Sequence, residues 1–267
     1  MSLHKTVGVI GGTGQLGSAM ATAWLDSGCI TPGNLWIANR SGSSSGFDAW
    51  PDITFTNSNQ ALADACDIII LSVPPALLDT VKISARGKLI ISVMAGVSLK
   101  QLAAHTGSSR LVRAMSSPAA RQQLAYSPWT AESGLSGPDR EAVDTLLSAC
   151  GLSDAVPDEG QIEIFTALTG PVPGFAAFFA DSMVQYALAN GVEPDIAIRA
   201  VKQLFLASGQ IMSADTVSPE DRVREMVDYA GTTAAGLIRM QELGLAGLIA
   251  EGLEASTERV RTIAGED

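Results

Sequence analysis

Up to Met115 the apolar residues come in short, β-branched bursts separated by stretches whose apolar spacing is helical. Val7-Gly8-Val9-Ile10 breaks into glycines and resumes as Ser18-Ala19-Met20-Ala21-Thr22-Ala23-Trp24-Leu25, which predicts a buried strand over 5–11 and a helix over 15–27. Asn34-Leu35-Trp36-Ile37-Ala38-Asn39 follows Pro32-Gly33 as a second strand and completes a βαβ unit. Ser58 caps a short helix that opens with Asn59-Gln60-Ala61-Leu62. Asp67-Ile68-Ile69-Ile70-Leu71-Ser72-Val73, stopped by Pro74-Pro75, is the most continuous β-branched run and predicts a central parallel strand buried on both faces. Further strands are expected over 88–94 and 110–115, and a helix over 138–150 closing near Gly151. Strands alternating with helices in this order imply a doubly wound α/β domain.

Past Asp158 the strand-like bursts stop and helical periodicity continues to the C-terminus. The pattern divides the chain into an α/β domain over 1–157 and an all-helical domain over 158–267. Residues 173–189, with Phe175, Phe178, Phe179, Met183, Val184 and Leu188, are apolar on nearly every face. Such a helix is buried inside a domain or against a second subunit. Helices over 195–213, 220–227, 232–243 and 244–263 complete an apolar-rich set whose surface argues for a helix-mediated homodimer, with a higher assembly of dimers left open.

The formal charge is 17 − 28 = −11 and no basic block interrupts it, which speaks against a nucleic-acid surface. No stretch is apolar over the roughly 18 residues of a membrane span and the N-terminus lacks a signal layout, so a cytoplasmic protein away from membranes is expected. Cys29, Cys66 and Cys150 sit in or beside apolar segments without a C-x-x-C spacing and read as reduced core residues. With only His4 and His105, both expected on the surface or in loops, a zinc site or histidine triad has almost no raw material. No metal site is expected.

Chemistry enters at the first glycine break. Gly12, Gly14 and Gly17 fill a G-x-G-x-x-G pattern through Gly12-Thr13-Gly14-Gln15-Leu16-Gly17, between a strand and a helix. The first glycine permits a tight turn, the second lets a pyrophosphate approach the backbone, and the third lets helix and strand pack closely. The helix N-terminus offers N–H groups to the phosphates. An ordinary structural turn is the alternative. Where a Rossmann-type unit that prefers NADH carries an acid at the end of its second strand, this chain has Asn39-Arg40-Ser41, a guanidinium and a hydroxyl in place of the carboxylate. That favours NADPH, unless Arg40 is only a solvated charge.

The ordered motifs GGTGQLGSAM, IANRS, ILSVPP, ISVMAGVSL, RAMSSPA, TALTGPVPGFAAFFADSM and AGTTAAGLIRMQELGLAGLIAEGLEASTER resemble those of pyrroline-5-carboxylate reductases over essentially the whole length. The resemblance implies a Rossmann-type NADP-binding domain, an all-α dimerisation domain, and reduction of 1-pyrroline-5-carboxylate to L-proline. It implies that Thr233 hydrogen-bonds the substrate nitrogen and that Gly231 and Thr232 belong to the loop gripping the carboxylate, with N-capping as the plainer role for either threonine. It also places Asn39, Arg40 and Ser41 at the adenosine phosphate, Asn59 beside the ribose, Ser72, Val73, Pro74 and Pro75 under the cofactor, and Ala95 and Gly96 at the nicotinamide.

The chain departs from the family pattern in its substrate half. A-V-K-P becomes Ser72-Val73-Pro74-Pro75, and M-P-N-T-P-A becomes Met115-Ser116-Ser117-Pro118-Ala119. S-G-S-G-P-A-Y becomes Thr169-Gly170-Pro171-Val172-Pro173-Gly174-Phe175, and S-P-G-G-T-T becomes Asp228-Tyr229-Ala230-Gly231-Thr232-Thr233. An ionised Asp228 within ~4–6 Å of a bound carboxylate would repel it, whereas one turned to solvent would not. A reductase for another imine, and a catalytically inactive NADP-binding protein of the same fold, are the alternatives. GGTGQLG also looks like the opening of deazaflavin-dependent NADP reductases, which the long helical second half fits poorly.

Overall fold

A computed structural model describes residues 3–44 and 46–263. Among them one eight-stranded sheet runs in the order β3-β2-β1-β4-β5-β6-β7-β8. Its strands are β1 (Val7–Ile10), β2 (Leu35–Ala38), β3 (Thr54–Thr56), β4 (Ile68–Leu71), β5 (Leu89–Ser92), β6 (Arg110–Ala114), β7 (Ala125–Ala131) and β8 (Gly151–Ala155). Every ladder is parallel except β6 against β7. The chain winds outward from β1 in both directions, so the order reverses between β1 and β4. In doubly wound sheets that reversal opens the crevice where ligands bind.

The strand residues alternate between two cores. Val7, Val9, Ile68, Ile70, Leu89 and Ile91 pack with α1 (Gln15–Asp26) and α4 (Gly137–Ser148), where the Trp24 indole Nε1 donates to the Leu146 carbonyl at 2.7 Å. Ile69, Leu71, Ile90 and Leu111 face the other way onto α2 (Asn59–Ala65) and α3 (Leu99–Thr106). β4 is therefore buried on both sides, as its unbroken apolar run predicts.

The chain forms two compact units, one over Met1–Val172 and Ala255–Asp267, the other over Pro173–Glu254. The helical texture begins with α5 (Glu159–Leu168), which packs on β6 and β7 in the first unit. In the second unit α6 (Gly174–Ala189) packs on α7 (Pro194–Ala214), and α8 (Pro219–Asp228) on α9 (Thr232–Glu242). The last helix, α10 (Leu245–Ile263), begins in the second unit and ends in the first. The sequence predicts α6 buried inside a domain or against a second subunit; within a single chain none of its residues is buried and Phe178 is 75% exposed, which leaves the second setting. No helix among the described residues is long and apolar enough to cross a membrane.

An ion pair ties α4 to the sheet. Arg110 Nε donates to Asp139 Oδ2 at 2.9 Å and its Nη2 to Oδ1, while Lys5 stands 3.9 Å away. The Arg110 hydrogen bonds hold the buried Asp139 carboxyl below the ordinary carboxylate range. Its folded pKa is depressed, so its contribution is complete above the unfolded carboxylate value of about 3.9 and is lost as pH falls through the folded value. Asp139→Asn is expected to lower stability at pH 7 by about 2 kcal/mol, because Arg110 keeps its charge and loses its partner. Urea unfolding at pH 7 and pH 3 measures this, and the gap between wild type and variant should narrow at the lower pH.

Candidate active site

The first glycine break forms a turn at the reversal point. Gly11 takes φ +85°, its N–H donates to the Ala38 carbonyl at 3.0 Å, and its carbonyl accepts from Gly14 N–H at 2.9 Å. A Cβ on Gly11 would lie 2.4 Å from the Ser72 carbonyl, which the sequence pattern starting at Gly12 did not single out. Gly12 is tight against Ile37, and a Cβ on Gly17 would stand 2.6 Å from the Gly11 carbonyl and 3.0 Å from Gly12 Cα. The third glycine thus lets α1 press on the turn. Gly14 is the N-cap of α1 and has no side chain to satisfy the leading N–H groups, and the first turn holds no acid. Thr13, Gly14 and Gln15 are exposed and Leu16 is half-buried, so the uncapped helix end is open to an anionic ligand.

The ends of β2 and β4 flank this turn. Ser72 N–H donates to the Ile10 carbonyl at 3.0 Å, which sets Ser72, Val73 and exposed Pro74 beside Gly11. After β2, the Asn39 Oδ1 accepts from Ser41 N–H, Ser41 Oγ–H and Ser43 N–H at 3.1, 3.1 and 3.2 Å. Arg40 is exposed and makes no side-chain hydrogen bond or ion pair among the described residues. Asn59 opens α2, where Ser58 Oγ accepts from Ala61 N–H at 3.2 Å. After β5, Ala95 is half-buried and Gly96 takes φ +72°.

One anchor of that last loop carries no sequence signal. Ser98 and Gln101 form a capping box at the start of α3, and Glu159 Oε1 accepts from Leu99 N–H at 2.9 Å. The same oxygen accepts from the fully buried Arg113 at 3.0 Å; Glu163 pairs with Arg113 at 3.6 Å and with Arg261 at 3.2 Å. Glu159 thus joins β6, α5 and the end of the Ala95-Gly96 loop through two bonds to one oxygen. The side chains are 46 residues apart in sequence, and no periodicity links them.

Cysteine and histidine chemistry lies elsewhere. The three cysteines are free and buried, and burial pushes Cys66 and Cys150 up to about 12, far from a reactive thiolate. His105 stands partly exposed in the last turn of α3, held by Asp79 and the Gln101 carbonyl at 3.0 Å each, and those bonds raise its pKa.

In the helical unit, Gly231 is the N-cap of α9 and makes no side-chain cap bond. The capping role open to Thr232 or Thr233 therefore falls to Gly231, and both threonines occupy the first turn. They are exposed, with no hydroxyl partner among the described residues and no acid in that turn. A hydroxyl donor beside uncapped N–H groups suits a polar ligand that carries negative charge.

Two family descriptions cover most of the chain. Residues 6–96 match NADP oxidoreductase, coenzyme F420-dependent, and residues 159–263 match pyrroline-5-carboxylate reductase dimerisation. The pyrroline-5-carboxylate reductase of Aquifex aeolicus is 24% identical over 264 residues, 98% of each chain. That of Pseudomonas aeruginosa is 29% identical over 219 residues, 80% of each. Residues 159–263 thus resemble the dimerisation region of pyrroline-5-carboxylate reductases, and these relatives align with nearly the whole chain. Its fold matches the structure of Plasmodium falciparum pyrroline carboxylate reductase with NADP bound, at a TM-score of 0.81 and 22% identity over 99% of this chain and 100% of that one.

The departures from the pyrroline-5-carboxylate reductase pattern have distinct settings. Ser116 and Ser117 are buried, and Ser127 Oγ donates to Ser116 Oγ at 2.9 Å, so Ser116 serves the sheet. A Cβ on Gly170 would meet the Met115 methyl at 2.5 Å, so the glycine lets the segments of the second and third altered motifs touch. Ala230 takes φ +55° where the family pattern has glycine, a conformation that disfavours an L side chain. Asp228 ends α8 and is exposed.

Proposed function

We propose that this protein reduces 1-pyrroline-5-carboxylate to L-proline with NADPH. Its alignment with pyrroline-5-carboxylate reductases over 98% of its length is the observation that carries this reading. Bound NADPH supplies the hydride. The chain has to hold the imine carbon in line, grip the carboxylate and donate to the nitrogen. Gly12, Thr13, Gly14, Gln15, Leu16 and Gly17 receive the pyrophosphate; Asn39, Arg40 and Ser41 serve the adenosine phosphate, and Asn59 the ribose. Ser72, Val73 and Pro74 lie under the cofactor, and Ala95 and Gly96 take the nicotinamide. Thr233 donates to the substrate nitrogen, and Gly231 and Thr232 hold the carboxylate at the uncapped start of α9.

The reading includes a cofactor domain over 1–157 and a helical domain over 158–267 that pairs two copies and extends to an assembly of dimers. The match to a dimerisation family supports pairing, as do the exposed apolar residues Phe178, Tyr186, Ile211 and Leu248. Three buried free thiols fit the reducing cytoplasm. Asp228 favours a second reading, an imine that carries a positive group in place of the carboxylate. NADPH consumption across cyclic imines with and without carboxylates separates the two. Turnover of 1-pyrroline-5-carboxylate above the others is expected. Turnover of cationic imines alone sustains the second reading, and cofactor binding without turnover of any imine supports an inactive NADP-binding protein.

A further inference from the structure

The turn after β2 is built around one amide. Asn39 Oδ1 accepts from Ser41 N–H, Ser41 Oγ–H and Ser43 N–H, while Asn39 Nδ2 donates to the Ser43 carbonyl at 2.8 Å. Ser41 Oγ in turn accepts from Ser43 N–H at 3.3 Å. The Asn39 backbone joins as well: its N–H donates to the Thr56 carbonyl at the end of β3, and its carbonyl accepts from Gly42 N–H, with Gly42 at φ +68°. An asparagine whose oxygen takes the N–H two residues on forms a local turn, and here the same oxygen continues to a third donor. The oxygen of Asn39 and the hydroxyl proton of Ser41 are both spent inside the turn. Arg40, carried between these two residues, is the exposed cation of the segment and makes no ion pair among the described residues.

We infer that Asn39 and Ser41 act as positioning residues for NADPH selection: their bonds to one another and to Ser43 hold the turn that carries Arg40, the cation set at the cofactor's 2′-phosphate. This rests on the NADPH reading above. Asn39 fixes the turn; the turn presents the guanidinium at the carboxyl end of β2, where a Rossmann-type unit meets the adenosine ribose. Fixing the backbone that carries this cation spares part of the ordering cost on binding. A bidentate guanidinium then discriminates a phosphate from a hydroxyl.

The test is steady-state kinetics with NADPH and NADH at a saturating cyclic imine, for wild type, Asn39→Ala and Arg40→Ala. Asn39→Ala should lower kcat/KM for NADPH about tenfold through KM, with kcat held and NADH use within about twofold. Arg40→Ala should lower the NADPH:NADH ratio further, about 10- to 100-fold. If Arg40→Ala shifts the ratio and Asn39→Ala does not, the positioning inference fails while the NADPH reading stands. If neither variant shifts it, the NADPH reading itself fails. Equal losses with both cofactors in Asn39→Ala would also overturn the inference, since the amide would then be holding the sheet edge rather than selecting a phosphate.

Discussion

Gly17→Ala is expected to weaken NADPH binding about tenfold or more, the equivalent of roughly one lost hydrogen bond to a charged group. In an open helix position the change would stabilise by up to about 1 kcal/mol, because alanine loses less backbone entropy than glycine. At Gly17 the new Cβ would stand 2.6 Å from the Gly11 carbonyl and 3.0 Å from Gly12 Cα, and both neighbours are backbone. Neither can rotate away, so α1 or the turn must move. Overpacking of this kind costs about 1–3 kcal/mol, enough to cancel the helix gain. The movement falls on the N–H groups at the start of α1. Gly33→Ala is the control, since a Cβ there meets nothing within 4 Å. Isothermal titration with NADPH and urea unfolding of both variants measure the two effects. Unaltered NADPH affinity in Gly17→Ala would remove the glycine turn from the cofactor site.

Thr233→Ala should lower kcat/KM for 1-pyrroline-5-carboxylate about 10²-fold, the usual cost of deleting one donor aimed at charge that develops in the transition state. The helix should tolerate the change, because Gly231 is the cap of α9 and the Thr233 hydroxyl has no partner among the described residues. Thr233→Ser keeps the donor and should recover most of the rate. NADPH affinity should be the same in all three proteins. A rate in Thr233→Ala close to wild type would mean that the nitrogen receives its hydrogen bond from another group.

Much of the sheet is legible in the sequence because burial on both faces leaves a direct trace. β4 reads as an uninterrupted Ile-Ile-Ile-Leu, and every residue in it is buried. β8 is an edge strand, Gly-Leu-Ser-Asp-Ala, with no fully buried residue, and β7 carries Pro128 within it. Neither follows a strand period; they are joined by a parallel ladder from Ala125 opposite Gly151 to Trp129 opposite Ala155, across which the Tyr126 hydroxyl donates to Asp154 at 2.9 Å. β3 has three residues and α3 eight, too few to establish a period. The helix over 138–150 is expected to close near Gly151, yet Gly151 opens β8 at φ +146°, where a Cβ would lie 2.1 Å from the Ala125 carbonyl.

Spacing marks the glycine turn, which the structure forms ahead of α1, whereas Gly231-Thr232-Thr233 is marked only by the resemblance to pyrroline-5-carboxylate reductases and lies at the start of α9. The candidate site was not legible where one side chain serves several backbone groups. Asn39 reads from sequence as a phosphate ligand, and only the folded turn reveals its amide oxygen taken by three neighbouring donors. Glu159 has no local signature, because its partners Leu99 and Arg113 come from distant strand and helix ends.

The imine assay is most direct when run with NADPH carrying deuterium in the transferable C4 position and 1-pyrroline-5-carboxylate as substrate, with the product read by mass spectrometry and NMR. Hydride transfer to the imine carbon predicts proline with a single deuterium at C5, formed in step with NADP. Unlabelled proline, or no proline from a protein that binds NADPH, would contradict the account.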